Sequence, residues 1–138
     1  MFAGERARTL VDQCSRPEPG PVEGTWTPGA REIGELEAGL RAAFEAALLR
    51  QWPEDKVQPL DYYRQYGGLV IGGRQVVYVG GFHRSLVESE PQTNRDGSRF
   101  DWRAQSIGVC DGGPIVFGVE YDVEARTFRN FFFNGAID

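Results

Sequence analysis

The chain has 138 residues, 41% of them hydrophobic and 25% charged, which is the make-up of one folded domain and excludes a disordered polypeptide. Its 20 acidic residues outnumber 15 basic ones, and the net charge of −5 excludes a nucleic-acid binder held mainly by phosphate contacts. One histidine and two cysteines are too few for a multi-ligand zinc site, so no metal and no cofactor is expected. No apolar run reaches the ~18 residues needed to span a bilayer.

Residues 1–27 read as an N-terminal strap. A short helix around Leu10 and Val11 is expected first. Pro17, Pro19, Pro21 and Pro28 with Gly20, Gly24 and Gly29 then predict an extended connection, because proline fixes φ and removes a backbone donor. Trp26 lies in this strap, either pinning it to the core or serving as a ligand platform. The segment from Met1 to Arg8 lacks the apolar region of a signal peptide, so the expected location is cytosolic, or exported after loss of a leader.

Thr27 and Pro28 supply a hydroxyl cap and a proline suited to a first helical position. Ile33, Leu36, Leu40, Phe44 and Leu48 follow at three- and four-residue steps, one stripe of an amphipathic helix over 28–52 that Pro53 stops. From residue 67 the period changes to that of strands. Leu69-Val70-Ile71 and Gln75-Val76-Val77-Tyr78-Val79 flank Gly72-Gly73, a hairpin signal. Further strands are predicted over 102–110, 115–122 and 127–133, with the long polar stretch 86–101 as a loop. The fold class is therefore α+β: one long amphipathic helix packed on a curved antiparallel meander of about five strands spanning 67–135.

Catalytic signatures are sparse. His83 is the single histidine, and no nucleophile-elbow motif accompanies it. Glu120 and Asp122 share a strand face by the period of two, either as paired carboxylates or as a solvated face. Gly72-Gly73 and Gly112-Gly113 precede no phosphate-loop helix. The most unusual segment is Asp61-Tyr62-Tyr63-Arg64-Gln65-Tyr66. Three tyrosines and an arginine in five residues make a recognition surface of rigid aromatic area and a planar cation, or else they anchor the helix–sheet connection. Phe131-Phe132-Phe133 places alternate rings on opposite faces and calls for cover by the strap or by a partner.

Gln13-Cys14-Ser15-Arg16, Trp26-Thr27-Pro28, Tyr62-Tyr63-Arg64-Gln65-Tyr66-Gly67-Gly68, Val109-Cys110-Asp111-Gly112-Gly113, Phe117-Gly118-Val119-Glu120-Tyr121-Asp122 and Phe133-Asn134-Gly135 together resemble a group of small bacterial α+β proteins. Many of that group carry a secretion leader, and it has no assigned activity. The resemblance implies export, a Cys14–Cys110 disulfide and a compact module without a fixed catalytic set. The order of one helix before a meander is also similar to that of cystatins.

Taken together, the sequence predicts a non-enzymatic domain that binds another protein, one of basic charge. An inhibitor or immunity protein against a secreted or cell-wall-degrading enzyme is one form of it. The expected contact residues are Tyr62, Tyr63, Arg64, Tyr66, His83 and Asp111. The alternatives are a small-molecule binder or enzyme with a pocket between helix and sheet, using Asp111, Tyr63 and His83, and a self-associating subunit with an exposed phenylalanine face.

Overall fold

A computed structural model describes residues 1–11, 20–88, 96, 101, 103, 105 and 113–134. After a helical turn α1 (Glu5–Arg8) and a 3-10 turn (Thr9–Val11) come β1 (Val22–Trp26) and the long helix α2 (Ala30–Gln51). Strands β2 (Tyr62–Ile71) and β3 (Arg74–His83), a one-turn helix α3 (Ser85–Glu88), β4 (Gly113–Asp122) and β5 (Thr127–Asn134) follow. The five strands form one open antiparallel sheet in the order β1-β2-β3-β4-β5. The α+β class with a meander-like sheet is thus observed, with α2 inserted between β1 and the rest.

Several boundaries differ from expectation for physical reasons. The strap contains a strand: β1 pairs with residues 68–71 of β2, and its shift between Val22 and Gly24 lets a glycine-bearing segment join a sheet edge. Helix α2 begins at Ala30, two residues beyond the expected start, because Gly29 rather than Thr27 is the cap. The Glu32 carboxylate accepts the Gly29 N–H at 3.3 Å, which satisfies one orphan donor of the first turn. Strand β2 begins at Tyr62, five residues before the predicted sheet, so the tyrosine-rich segment is strand and not connection. Of the strand expected over 102–110, Arg103 lies in a turn and Gln105 in a bend; the rest lies outside the described residues.

The β2–β3 hairpin closes on Gly72 and Gly73 at φ 61° and 75°, left-handed values that a two-residue turn of this twist requires. On one face, Leu36, Leu40, Phe44 and Leu48 of α2 pack onto Tyr62, Phe117, Phe131 and Phe133. Phe44 lies edge-on to Tyr62, Phe117 and Phe133 at 5.3, 5.6 and 5.4 Å between ring centres. Each fully buried ring contributes about 1.5–3 kcal/mol. Phe131 and Phe133 are core residues, so the phenylalanine face is covered from within. On the other face, Phe2, Ala7 and Leu10 cover Leu69, Ile71, Val76 and Tyr78. Trp26 packs against the main core and donates its indole N–H toward the Leu69 and Val76 carbonyls at 3.1 and 3.0 Å, pinning the strap.

Close approach, and not curvature alone, explains two strand glycines. A Cβ on Gly68 would stand 2.1 Å from the Trp26 carbonyl, where the chain leaves β1 for α2. A Cβ on Gly81 would stand 2.0 Å from the Phe117 ring. At the far edge, the Gln51 side chain acts as a strand surrogate for β5. Its Nε2 donates to the Phe131 carbonyl at 2.7 Å and its Oε1 accepts the Phe133 N–H at 2.9 Å. Arg50 donates to the same carbonyl at 3.2 Å.

Candidate functional site

Strand β2 is longer than the strand beside it. Its even-numbered residues turn their main-chain groups toward the β1 side, as three contacts fix: the Tyr66 carbonyl accepts the Phe2 N–H at 2.7 Å, the Tyr62 carbonyl accepts Arg64 Nη1 at 3.0 Å, and β1 pairs with Gly68 and Val70. Odd-numbered residues turn toward β3, as the Asp61 carbonyl does in accepting the Arg84 N–H at 2.9 Å. Since β1 ends at Trp26 opposite Gly68, residues 62–66 have no strand beside them among the described residues. The Tyr62 N–H is used by the Pro59 carbonyl. The Arg64 N–H, the Arg64 carbonyl and the Tyr66 N–H are left pointing outward.

Beside this stretch lies a shallow cleft of about 220 Å³ lined by Glu37, Arg41, Gln58, Pro59, Leu60 and Arg64. Arg64 and Tyr66 project on the α2 face of the sheet. Arg64 Nη2 donates to Glu37 Oε1 at 2.9 Å, and the Tyr66 hydroxyl donates to Glu37 Oε2. Both carboxylate oxygens of Glu37 are therefore engaged, while Arg64 Nε is buried without a hydrogen-bond partner among the described residues. Burial, reinforced by the hydrogen bond to Glu37, pushes the Tyr66 phenol well above its usual range. Among the described residues Arg41 reaches only Glu45, 3.1 Å away in an exposed pair.

The other expected contact residues are distributed rather than gathered. Tyr62 is buried under α2, where it donates to the Pro114 carbonyl, and burial raises its phenol pKa. Tyr63 points to the opposite face, packs on Phe82 and donates to Glu88 at 2.7 Å. His83 lies on the α2 side, edge-on to Tyr62 at 5.4 Å. Tyr63 and His83 thus occupy opposite faces and cannot line one pocket, and the helix–sheet interface that was to hold it is filled with rings. Asp111, Cys14 and Cys110 lie outside the described residues, and with them the predicted disulfide.

His83 Nδ1 is 2.9 Å from the Ser85 hydroxyl, but it also accepts the Ser85 main-chain N–H at 3.2 Å. Both contacts lie within the turn that leads from β3 into α3. Glu120 and Asp122 do share a face, but it is not solvated: each is 2% exposed. Glu120 accepts from Arg129 at 3.3 Å and Asn130 at 2.6 Å, and the β-bulge at Asn130, φ 54°, aims that amide inward. Asp122 binds Arg74 through both oxygens and accepts the Ala125 N–H at 3.0 Å. The hydrogen bond from Arg74 holds the Asp122 carboxyl below its usual pKa. Each carboxylate is thus taken up by its own cation, Glu120 by Arg129 and Asp122 by Arg74.

Glu37, Arg41 and the 58–60 turn escape sequence reasoning. Glu37 flanks the apolar stripe one position from Leu36, a signal for a half-buried carboxylate, but its contact with Arg64 spans 27 residues. Compared with known proteins, the chain matches no family model, no curated protein and no solved structure.

Proposed function

We propose that this protein is a non-catalytic domain that binds another protein through the outward edge of residues 62–66 and the cleft beside it. The observation that carries the reading is the unequal length of β1 and β2, which leaves three main-chain hydrogen-bonding groups at Arg64 and Tyr66 without a partner among the described residues. A free strand edge is a liability that proteins otherwise blunt, as Gln51 does at β5, so leaving one open beside a polar cleft serves recognition. The cleft's volume, about 220 Å³, falls below the roughly 300–1,000 Å³ of small-molecule pockets, so this cleft is read as part of a protein-binding surface. An exported inhibitor or immunity protein is the form of this reading that the sequence resemblance favours.

The test is affinity capture from envelope and cytosolic fractions of the source cells. Wild-type protein, Arg41→Ala and a surface control, Arg31→Ala, serve as parallel baits. A stoichiometric partner held by wild type and the control and reduced with Arg41→Ala is the expected result. No partner at any ionic strength would overturn the reading.

A further inference from the structure

We infer that the partner contributes an extended segment that adds to β2 as a strand, with an acidic side chain in the position paired with Arg64. This rests on the protein-binding reading above and goes beyond it in naming the mode and the chemistry of contact.

The main-chain inventory sets the mode. Arg64 presents both an N–H and a carbonyl to the open side, the complete set for one reciprocal antiparallel pair, and the Tyr66 N–H adds a donor. The edge already takes up one extended residue of its own chain: Phe2 forms an isolated parallel bridge with Gly67 and uses the Tyr66 carbonyl. The edge is therefore open over a short, defined stretch between Phe2 and the Arg64 guanidinium that covers the Tyr62 carbonyl.

The side chains set the chemistry. A residue paired with Arg64 places its side chain on the same face, roughly 5 Å away and at the mouth of the cleft. The cleft lining holds two guanidinium groups, Arg41 and Arg64, and one carboxylate, Glu37, whose oxygens are both taken. What the lining lacks is a carboxylate with a free oxygen; Gln58 supplies only a neutral amide acceptor. Arg41 is 75% exposed and its pair with Glu45 is a surface pair of small worth, so Arg41 is free to exchange partners. The chain's net charge of −5 steers basic partners at long range, whereas this contact turns on the single exposed Arg41 guanidinium at the cleft. A second copy of the chain is disfavoured as the occupant, because pairing through the same stretch sets Arg64 against Arg64, and like charges directly opposite repel.

Two measurements test the inference. Amide hydrogen exchange of the free protein reads the edge without any ligand: the Arg64 and Tyr66 amides are expected to exchange at least about tenfold faster than those of Tyr63 and Gln65, whose N–H groups face β3. Equal protection at all four would mean the edge is covered, and would overturn the inference. Next, a phage-displayed library of random heptapeptides is selected on the intact protein. Selected peptides are expected to carry Asp or Glu at one fixed position. Replacing that acid by its amide should weaken binding about tenfold, and Arg41→Ala should remove the preference. N-methylation of the residue paired with Arg64 should cost a further fivefold to tenfold or so, while N-methylation of its neighbours, whose N–H groups point away, should change little. Peptides without an acidic position, or binding indifferent to N-methylation, would overturn the inference. If cell fractions still yield a partner, the protein-binding reading survives that failure; if they yield none, both fall.

Discussion

Adjacent glycines on β3 allow a sharp test of how the sheet is packed. Gly81 lies on the α2 face, and a Cβ built there would stand 2.0, 2.2 and 2.6 Å from three atoms of the Phe117 ring. Since real Cβ contacts stay beyond about 3.0 Å, the ring must retreat by at least about 1 Å. It has little room to do so, because Tyr62 and Phe44 lie 5.4 and 5.6 Å from its centre and Phe131 stacks on it at 4.9 Å. Overpacking of this kind costs about 1–3 kcal/mol, offset by up to ~1 kcal/mol from replacing a flexible residue in a strand. Gly81→Ala is therefore expected to destabilise by about 2 kcal/mol, or a fall in Tm of about 7 °C for a domain of this size. Gly80 points to the other face, and the nearest described atom to its Cβ position is the Gln65 carbonyl at 4.0 Å. Gly80→Ala should be neutral or stabilising by up to ~1 kcal/mol. Urea unfolding followed by tryptophan fluorescence, with thermal melts in parallel, gives both values. Equal losses at the two positions would refute the argument, because both would then report a backbone requirement and not the Phe117 ring.

Two further outcomes concern pH. The native Asp122 carboxyl titrates below its unfolded value, chiefly through its hydrogen bond from Arg74. The unfolded chain therefore binds the proton first as pH falls, and the stability that this carboxylate supplies above about pH 4 is lost progressively below it. Urea midpoints between pH 2 and 6 should show this decline, and Asp122→Asn should be less stable at neutral pH with a flatter acid limb. At the alkaline end the sign reverses in mechanism but not in effect. Tyr62 and Tyr66 keep their protons past the usual phenol range, mainly through burial, while the unfolded chain ionises near pH 10. Stability should fall above about pH 10, and absorbance near 295 nm should show these two phenols titrating only as the fold is lost.

The parts of the fold that sequence made legible are those with local causes. The stripe from Leu36 to Leu48 repeats at helical spacing, and Gly72-Gly73 dictates its own turn. Strand β1 was illegible because nothing within residues 22–26 specifies a strand; it exists because residues 68–71 offer a partner edge and Trp26 finds acceptors on β2 and β3. The tyrosine-rich segment stood out by composition, yet its register decides the roles: Tyr62 to the core, Tyr63 to the far face, Arg64 and Tyr66 to Glu37. Neither the ends of β1 nor the placement of Glu37 follows from neighbouring residues, so the open edge could be read only from the assembled sheet.

The closure of β5 by Gln51 also bears on stoichiometry. A molecule with complementary open edges on both sides has a valence of two, and successive copies add head to tail without limit. Here the Phe131 carbonyl and the Phe133 N–H are occupied by the molecule's own helix end. A copy whose β5 approached the open stretch of another molecule's β2 at this point would find the Phe131 carbonyl and the Phe133 N–H already taken. In the proposed mode, strand addition at residues 62–66 would therefore not be continued through Phe131 and Phe133, and a complex of one partner per chain is the expected product.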